Sequence, residues 1–325
     1  MISESKFNRT IHICRNIVIK VKNFDVKMLS LSSTITLRSG IQMPQFGLGT
    51  WLSSNNGECN SSVTTALENG YRLVDTAQMY GNERDVGIAI KAWCEKNPTL
   101  NKKPFVVTKL KGDAHEIGGV TRALKRSLQL LQMDCVDLFL IHSPAGMRCI
   151  DTWKEMLECK QLGLTRAVGV SNFGIQQLEG LKNEGLELPE INQIELHPWL
   201  QQKETRAYMK TNEIQAMGYC PLARCKQFDQ TEVTTISKAR GIESCPEALV
   251  AIRWSLEQGI VTIPKSSNEE RIIQNASSLQ MDPLTEEEQS ILNSCNIGFK
   301  ASNSVNSMDL PWDQLDDKGK QIGVK

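Results

Sequence analysis

Short β-type runs alternate with helix-type stretches from Thr34 onward, and this alternation limits the possible folds more than any other feature of the sequence. Parallel strands joined by crossover helices require such a pattern. The sequence predicts eight strands, at Phe46–Thr50, Leu73–Asp75, Phe105–Lys109, Val136–His142, Ala167–Ser171, Ile191–Glu195, Ile214–Tyr219 and Ile260–Pro264.

The segments between these strands carry apolar residues at helical spacing, most clearly in Glu83–Lys96, Gly119–Leu131, Ile150–Leu162 and Pro246–Glu257. Eight βα units that close on themselves form an α/β (β/α)8 barrel, or TIM barrel, and such barrels commonly run to roughly 250 residues or more as one domain. We therefore predict a single barrel domain over residues 34–325. Thr34–Leu37 and Ile41–Pro44 predict an N-terminal β-hairpin that plugs the bottom of the barrel.

The competing architecture is a doubly wound sheet, which binds dinucleotides through a GxGxxG turn after its first strand. Gly47 and Gly49 begin such a turn, but Trp51 and Leu52 follow and do not complete it. A nucleotide bound to this chain must be held in another way.

Composition narrows the class of protein. The chain has 325 residues with 37 basic and 37 acidic side chains, so no general charge favours nucleic acid or an anionic membrane as a partner. Its apolar runs, such as Val136–Ile141, are far shorter than the roughly 20 residues that cross a bilayer. Ten scattered cysteines without CxxC spacing predict reduced thiols and no metal site. We expect a monomeric cytoplasmic protein.

Residues 1–33 form a basic extension in which isoleucines alternate with lysines and arginines. This composition predicts either a mitochondrial transit peptide or a disordered extension upstream of a second start at Met28. Neither interpretation affects the chemistry predicted for the rest of the chain.

Polar residues stand at the ends of successive predicted strands, where the loops of a barrel converge on one mouth. Taken singly, each has an ordinary explanation: a cap or turn for Asp75, a solvated strand end for Lys109, a hydrogen-bonded core histidine for His142 and turn residues for Ser171 and Asn172. The prediction of a site depends on their joint occurrence, with Tyr80 in the loop after Asp75.

The run Gly70–Glu83 (GYRLVDTAQMYGNE) resembles the first sequence signature of the aldo-keto reductase family. Further blocks resemble family motifs in the family's order, at Val106–Lys109, Asp137–Pro144, Gly169–Phe173, Asn192–Pro198 and Ile263–Arg271. The resemblance covers about residues 34–310. Within the family, the chain resembles the short-loop branch of prostaglandin F synthases and 2,5-diketo-D-gluconate reductases, because the stretches after Pro144 and Pro221 are short.

The resemblance implies an NADP-dependent oxidoreductase that acts on CH-OH groups and reduces small carbonyl compounds with NADPH. Its catalytic residues are Asp75, Tyr80, Lys109 and His142. Tyr80 would give a proton to the carbonyl oxygen, and a nearby Lys109 would lower the pKa of its phenol. Asp75 would hold the lysine, and His142, with a pKa near neutrality, would orient the carbonyl and assist protonation in the reverse reaction.

The same resemblance implies a nicotinamide dinucleotide extended across the barrel mouth. Asp75, Ser171, Asn172, Gln193, Tyr219 and Leu222 match positions at the nicotinamide end, and Tyr219 matches the aromatic residue that stacks on the ring. A phosphate site at the start of a helix favours NADPH over NADH. It is matched by Lys265, Ser266, Ser267, Asn268 and Arg271, and Gln274 and Asn275 match adenine contacts.

The substrate pocket is predicted from Trp51, Tyr80, His142 and Trp199, which suit an apolar or aromatic carbonyl compound. Ser143 and Lys111 stand where many family members have aromatic residues, so a wider and more polar pocket is expected. Cys220 and Cys225 replace the usual serine and glycine of the loop after Tyr219. No secondary structure is predicted beyond Asn296.

Two other functions fit part of this pattern. A cofactor-binding barrel without catalytic activity would keep the nucleotide site. A glycosidase needs two facing carboxylates, for which Asp75 and Glu195 are available, but it leaves Lys109 and the phosphate site unexplained.

Overall fold

The computed structural model describes residues 29–99, 103–112, 118–144 and 149–309. The predictions for residues 1–28 and most of the loop after Pro144 lie outside these ranges. Ser30 and Ser33 form a turn that leads into the fold, and Gln45 N donates to Ser33 O at 3.0 Å. None of the helices in these ranges is both long enough and apolar enough to span a membrane.

Eight parallel strands form one sheet in chain order. They are β3 (Leu48–Gly49), β4 (Leu73–Asp75), β5 (Phe105–Leu110), β6 (Val136–Ile141), β7 (Thr165–Ser171), β8 (Ile191–Glu195), β9 (Gln215–Tyr219) and β10 (Val261–Thr262). Parallel bridges from Phe46 to Thr262 and from Gly49 to Lys265 join the first strand to the last. The sheet therefore closes into the predicted (β/α)8 barrel.

Ten helices follow the strands or extend the loops around them within the described residues. They are α1 (Glu58–Glu68), α2 (Glu83–Lys96), α3 (Gly119–Leu131), α4 (Cys149–Gln161), α5 (Ile175–Asn183), α6 (Lys203–Thr211), α7 (Thr231–Ala239), α8 (Pro246–Glu257), α9 (Glu269–Ser277) and α10 (Glu286–Ser294). A further short 3₁₀ helix, Asn303–Asp309, lies in the tail where no secondary structure was predicted. That prediction was wrong because the turn is held by tertiary hydrogen bonds, such as Gln177 Nε2 to Ser307 O at 3.2 Å.

The hairpin strands β1 (Thr34–Thr36) and β2 (Gln42–Pro44) pair antiparallel, as predicted. Leu37 and Met43 from this hairpin belong to the same buried cluster as Leu73, Leu140 and Ile191 of the barrel interior. The hairpin thus covers the end of the barrel at which the strands begin. The polar residues predicted at the ends of the strands therefore lie at the opposite, uncovered end of the barrel.

Candidate active site

The barrel interior is layered, and its uppermost layer is polar. Successive inward-facing residues of a strand are two positions apart, because side chains alternate between the two faces. Residues of the apolar layer are each followed two positions later by a polar one, in the pairs Leu73 and Asp75, Val107 and Lys109, Leu140 and His142, Ile191 and Gln193, Met217 and Tyr219, and Ile263 and Lys265. This register brings the predicted polar residues together at the barrel mouth.

Lys109 lies at the centre of this layer, and its side chain is 0% exposed. Its ammonium donates to Asp75 Oδ1 at 2.5 Å, to Thr76 O at 2.9 Å and to the Tyr80 hydroxyl oxygen at 3.1 Å. Burial raises the pKa of Asp75 and lowers the pKa of Lys109, and the contact between the two opposite charges opposes both shifts. A buried cation needs such a partner, since its desolvation is otherwise uncompensated.

Tyr80 ends a 3₁₀ turn, Gln78–Tyr80, which Gly81 terminates in a left-handed conformation with φ of 71°. Asn82, for which no role was predicted, has a buried amide that fixes this turn. Asn82 Nδ2 donates to Thr50 O at 2.9 Å and to Ser53 O at 3.0 Å, and its Oδ1 accepts from Thr76 Oγ1 at 2.8 Å. In the sequence, the only sign of this role is that an asparagine stands two residues after the tyrosine.

The pKa of Tyr80 does not follow the sequence-based expectation. Burial raises the pKa of its phenol well above the ordinary value, and the negative charge of Asp75 adds to that shift. The nearby ammonium of Lys109, paired with Asp75 at 2.5 Å, does not reverse this shift. Since the ammonium donates to the phenolic oxygen, the phenol keeps its own proton available for a different acceptor.

His142 lies edge-on to Tyr80, with 5.5 Å between the ring centroids. Burial, followed by repulsion from Lys109, lowers its pKa to about 3. The expectation of a pKa near neutrality was therefore wrong, and the imidazole is neutral at physiological pH. Within the described residues its Nδ1 is buried without a hydrogen-bond partner. A neutral imidazole can donate one hydrogen bond but is not a strong acid.

The residues predicted at the nicotinamide end are connected by hydrogen bonds. Gln193 Nε2 donates to Asp75 Oδ2 at 2.7 Å, Ser171 Oγ donates to Gln193 O at 2.8 Å, and the Tyr219 hydroxyl donates to Asn172 Oδ1 at 2.7 Å. Asn172 has a φ of 60°, a left-handed conformation that asparagine tolerates. These contacts fix the ring of Tyr219 and the amides around the polar layer.

The residues predicted at the phosphate end surround the start of α9. Lys265 Nζ donates to Ser267 Oγ at 3.3 Å, and Asn268 caps the helix by accepting from Arg271 N at 2.9 Å. The side chain of Arg271 is exposed, and Gln274 Oε1 accepts from Cys245 Sγ at 3.0 Å. Asn275 is buried, so it offers little surface to a nucleotide.

Glu58, which was not predicted, adds a negative charge near this end. Its Oε2 accepts from Ser54 N and from Ser54 Oγ, both at 2.8 Å. Hydrogen bonds from Ser54 and Ser267, together with the charge of Lys265, lower its pKa to about 2. A carboxylate beside the cations of the predicted phosphate site had no signal in the sequence, because Glu58 is distant from Lys265 along the chain.

A cavity of about 450 Å³ opens above the polar layer. Besides the residues of this layer other than Lys109, its wall includes Leu222, Trp51, Leu52, Met79, Cys220, Arg224, Cys225, Ser302 and Ser304. The prediction that Trp199 lines the pocket was wrong. Trp199 is 1% exposed and packs against His197, with 5.9 Å between ring centroids. Ser143 and Lys111 are also absent from the cavity wall, where Arg224, Ser302 and Ser304 supply polar groups instead.

Glu195 has a structural role. It accepts from His197 Nε2 at 2.9 Å, from Ala301 N at 2.6 Å and from Ser302 N at 2.8 Å, and it is completely buried. Both of its oxygens hold the segment that forms one wall of the cavity. With Asp75 bound to Lys109, the two carboxylates do not form the facing pair that a glycosidase needs.

Comparison with known proteins agrees with this geometry. The sequence model of the aldo/keto reductase family matches residues 45–297. A glyoxal reductase of Bacillus subtilis is 38% identical over 267 residues, which are 82% of this chain and 94% of that protein. Methylglyoxal reductase DkgA of Escherichia coli is 41% identical over 248 residues, which are 75% of this chain and 86% of that protein. The crystal structure of a Bombyx mori aldo-keto reductase in complex with NADP matches with a TM-score of 0.77 and 31% identity, over 86% of this chain and 97% of that one.

Proposed function

This chain belongs to the aldo/keto reductase family, and from that premise we propose that it reduces small aldehydes and ketones to alcohols with NADPH, with Tyr80 as the proton donor. The observation that carries the proposal is the 3.1 Å contact between Lys109 Nζ and the Tyr80 hydroxyl oxygen at the base of the cavity. The phenol is then the nearest proton source to a carbonyl group that enters this cavity.

The residues around the cavity fit a nicotinamide dinucleotide. Amide and hydroxyl groups suited to a carboxamide, from Ser171, Asn172 and Gln193, lie beside the fixed ring of Tyr219. Lys265 and Arg271 supply cations at the start of α9, which suits a phosphate on the adenosine. When bound, the nicotinamide supplies the hydride that no side chain can provide.

The side chains then divide the remaining work. Tyr80 gives its proton to the carbonyl oxygen as negative charge develops there, and the O–H bond of the phenol breaks as the O–H bond of the alcohol forms. The hydrogen bond from Lys109 stabilises the phenolate that remains. His142, neutral in this environment, donates a hydrogen bond that orients the carbonyl oxygen. Reprotonation of Tyr80 from solvent completes the cycle.

We infer a preference for small 2-oxoaldehydes. Two relatives are named glyoxal reductase and methylglyoxal reductase. A cavity of about 450 Å³ leaves room for such a substrate beside the nicotinamide. Trp51, 38% exposed and 4.9 Å from the Tyr80 ring between centroids, provides an apolar surface for larger aromatic carbonyl compounds as well.

The test is an assay of the purified chain with NADPH and, separately, methylglyoxal and 4-nitrobenzaldehyde. We expect loss of the reduced-nicotinamide absorbance with both, and a higher kcat/KM with methylglyoxal. Cofactor binding without any turnover of either substrate would contradict the proposal and indicate a cofactor-binding protein without catalytic activity. A greater kcat/KM with the aromatic aldehyde would contradict the substrate preference alone.

A further inference from the structure

A second cavity, of about 950 Å³, lies outside the barrel beside α6 and carries an excess of positive charge. We call it the α6 groove, and its charged lining residues are Arg38, Lys203, Arg206, Lys210 and Glu213. It extends to Gln215 at the start of β9 and to Gly259 just before β10. The groove is therefore separate from the barrel mouth, which lies at the opposite ends of these strands.

The cations of the α6 groove follow from the sequence of α6. Lys203, Arg206 and Lys210 are three and four positions apart, a spacing that places side chains on one face of a helix. Ala207, between them on the same face, leaves space above the helix because its side chain is small. Over the seven positions from Lys203 to Lys210 the helix rises about 10 Å, so the charges form a row.

The described residues supply few counter-charges to the groove: of its cations, only Arg38 forms an ion pair there, with Glu187 at 3.8 Å. Within the part of the chain that the structure describes, no ion pair involves Lys203, Arg206 or Lys210. Other arginines are paired: Arg240 with Glu288, and Arg253 with Glu257 at 2.5 Å. Glu213 lines the same groove, but it forms none of these pairs.

Arg206 is the most informative of the three because its side chain is half-buried. Its guanidinium donates to Gln258 Oε1 at 3.2 Å and lies 6.0 Å from the centroid of the Trp254 ring. Arg206 also donates to Gln201 O at 3.5 Å, and burial lowers the pKa of its guanidinium. These partners are uncharged, so an anionic ligand in the groove would supply the counter-charge that they lack.

We propose that the α6 groove binds a small polyanion that carries two phosphate groups, such as a pyrophosphate or a bisphosphate ester. A guanidinium with flanking ammonium groups matches the charge and oxygen geometry of phosphates. A row of about 10 Å spans more than one phosphate. The volume of the groove lies within the range of roughly 300–1,000 Å³ that is usual for small-molecule sites. The proposal does not depend on the reductase activity.

The test is isothermal titration calorimetry with inorganic pyrophosphate at low ionic strength. Arg206→Gln/Lys210→Gln should weaken binding at least tenfold, and Lys210→Gln alone, a change at an exposed residue that cannot disturb the core, should weaken it measurably. Lys91→Gln is the matched control, because Lys91 is exposed on α2, which follows the second barrel strand, whereas α6 follows the sixth on the opposite side. Lys91→Gln should bind as the wild type does.

A second control separates the α6 groove from the phosphate end of the active site. Arg271→Ala removes a cation there and should leave the pyrophosphate affinity of the groove unchanged. The proposal is overturned if wild-type protein gives no binding, if Lys210→Gln binds as tightly as the wild type, or if Arg271→Ala abolishes the signal instead. Binding of an RNA oligonucleotide without binding of pyrophosphate would also overturn it.

Discussion

The ammonium of Lys109 lies 3.1 Å from the hydroxyl oxygen of Tyr80. This contact joins a buried charge pair to a phenol that lines the cavity. Burial raises the pKa of Tyr80, so the phenol remains protonated in the resting protein. In the proposed mechanism, the lysine acts mainly after proton transfer has begun, by stabilising the phenolate rather than by ionising the phenol beforehand.

Lys109→Met should abolish reduction and destabilise the fold. Removal of the ammonium leaves the carboxylate of Asp75 buried without its cation, which costs about 3–5 kcal/mol for a buried pair. Asp75→Asn/Lys109→Met should recover much of the lost stability without recovering activity, because the double variant has no charge at these two buried positions. Urea unfolding of the three proteins provides the measurement. A double variant no more stable than Lys109→Met would contradict the charge-pair explanation.

Arg271→Ala should weaken NADPH binding far more than NADH binding. Loss of a charged hydrogen bond to the phosphate costs about 1.5–3 kcal/mol, or roughly ten- to a hundredfold in Kd. NADH lacks this phosphate, so its Kd should change less than about twofold by the same reasoning. Fluorescence titration with both cofactors measures the effect, and Arg126→Ala on α3 is the control, because that side chain is also exposed. Equal losses for the two cofactors would place the phosphate elsewhere.

Alanine substitutions of Trp51 and Trp199, the two tryptophans predicted for the pocket, should have different effects on stability and on KM. Trp199→Ala removes a side chain that is 1% exposed, so it should destabilise the protein by about 3–5 kcal/mol and leave the KM for methylglyoxal unchanged. Trp51→Ala should instead raise the KM for aromatic aldehydes, with little loss of stability. Thermal unfolding and steady-state kinetics on both variants provide the comparison. A raised KM in folded Trp199→Ala would indicate that Trp199 lines the pocket.

His142 should make stability depend on pH. Its pKa is lowered from 6.5 to about 3, so the unfolded chain binds the proton more readily than the folded one. Its contribution to stability is therefore fully present above pH 6.5 and is lost as the pH falls toward 3. His142→Gln should show a shallower loss of unfolding free energy across this range. Identical pH profiles for the two proteins would mean that the buried imidazole does not resist protonation.

Much of the fold follows from local pattern. The predicted helices Glu83–Lys96, Gly119–Leu131 and Pro246–Glu257 have the bounds observed, and Ile150–Leu162 is displaced by one residue to Cys149–Gln161. The first and last barrel strands, predicted at Phe46–Thr50 and Ile260–Pro264, are only two residues long, Leu48–Gly49 and Val261–Thr262. They close the barrel through isolated bridges, and such pairing depends on how the whole sheet curves.

The site was predictable where strand register determines it. Asp75, Lys109, His142 and Gln193 meet because each ends an inward-facing row of a parallel strand. Trp199 was misplaced because it lies in the turn after β8, where no period fixes the direction of a side chain. The pKa shifts of Tyr80 and His142 could not be predicted from the sequence either. They arise from desolvation, which depends on every residue that covers the site.

The most direct test of Tyr80 as the proton donor is the Tyr80→Phe substitution. It is measured by single-turnover oxidation of bound NADPH with methylglyoxal and by cofactor titration. The substitution removes one oxygen and leaves the ring that packs against Trp51 and His142. We expect hydride transfer to fall by at least about 10²-fold, the lower range for general acid catalysis, while the Kd for NADPH changes less than about twofold. Hydride transfer at the wild-type rate in Tyr80→Phe would contradict the proposal that Tyr80 is the proton donor.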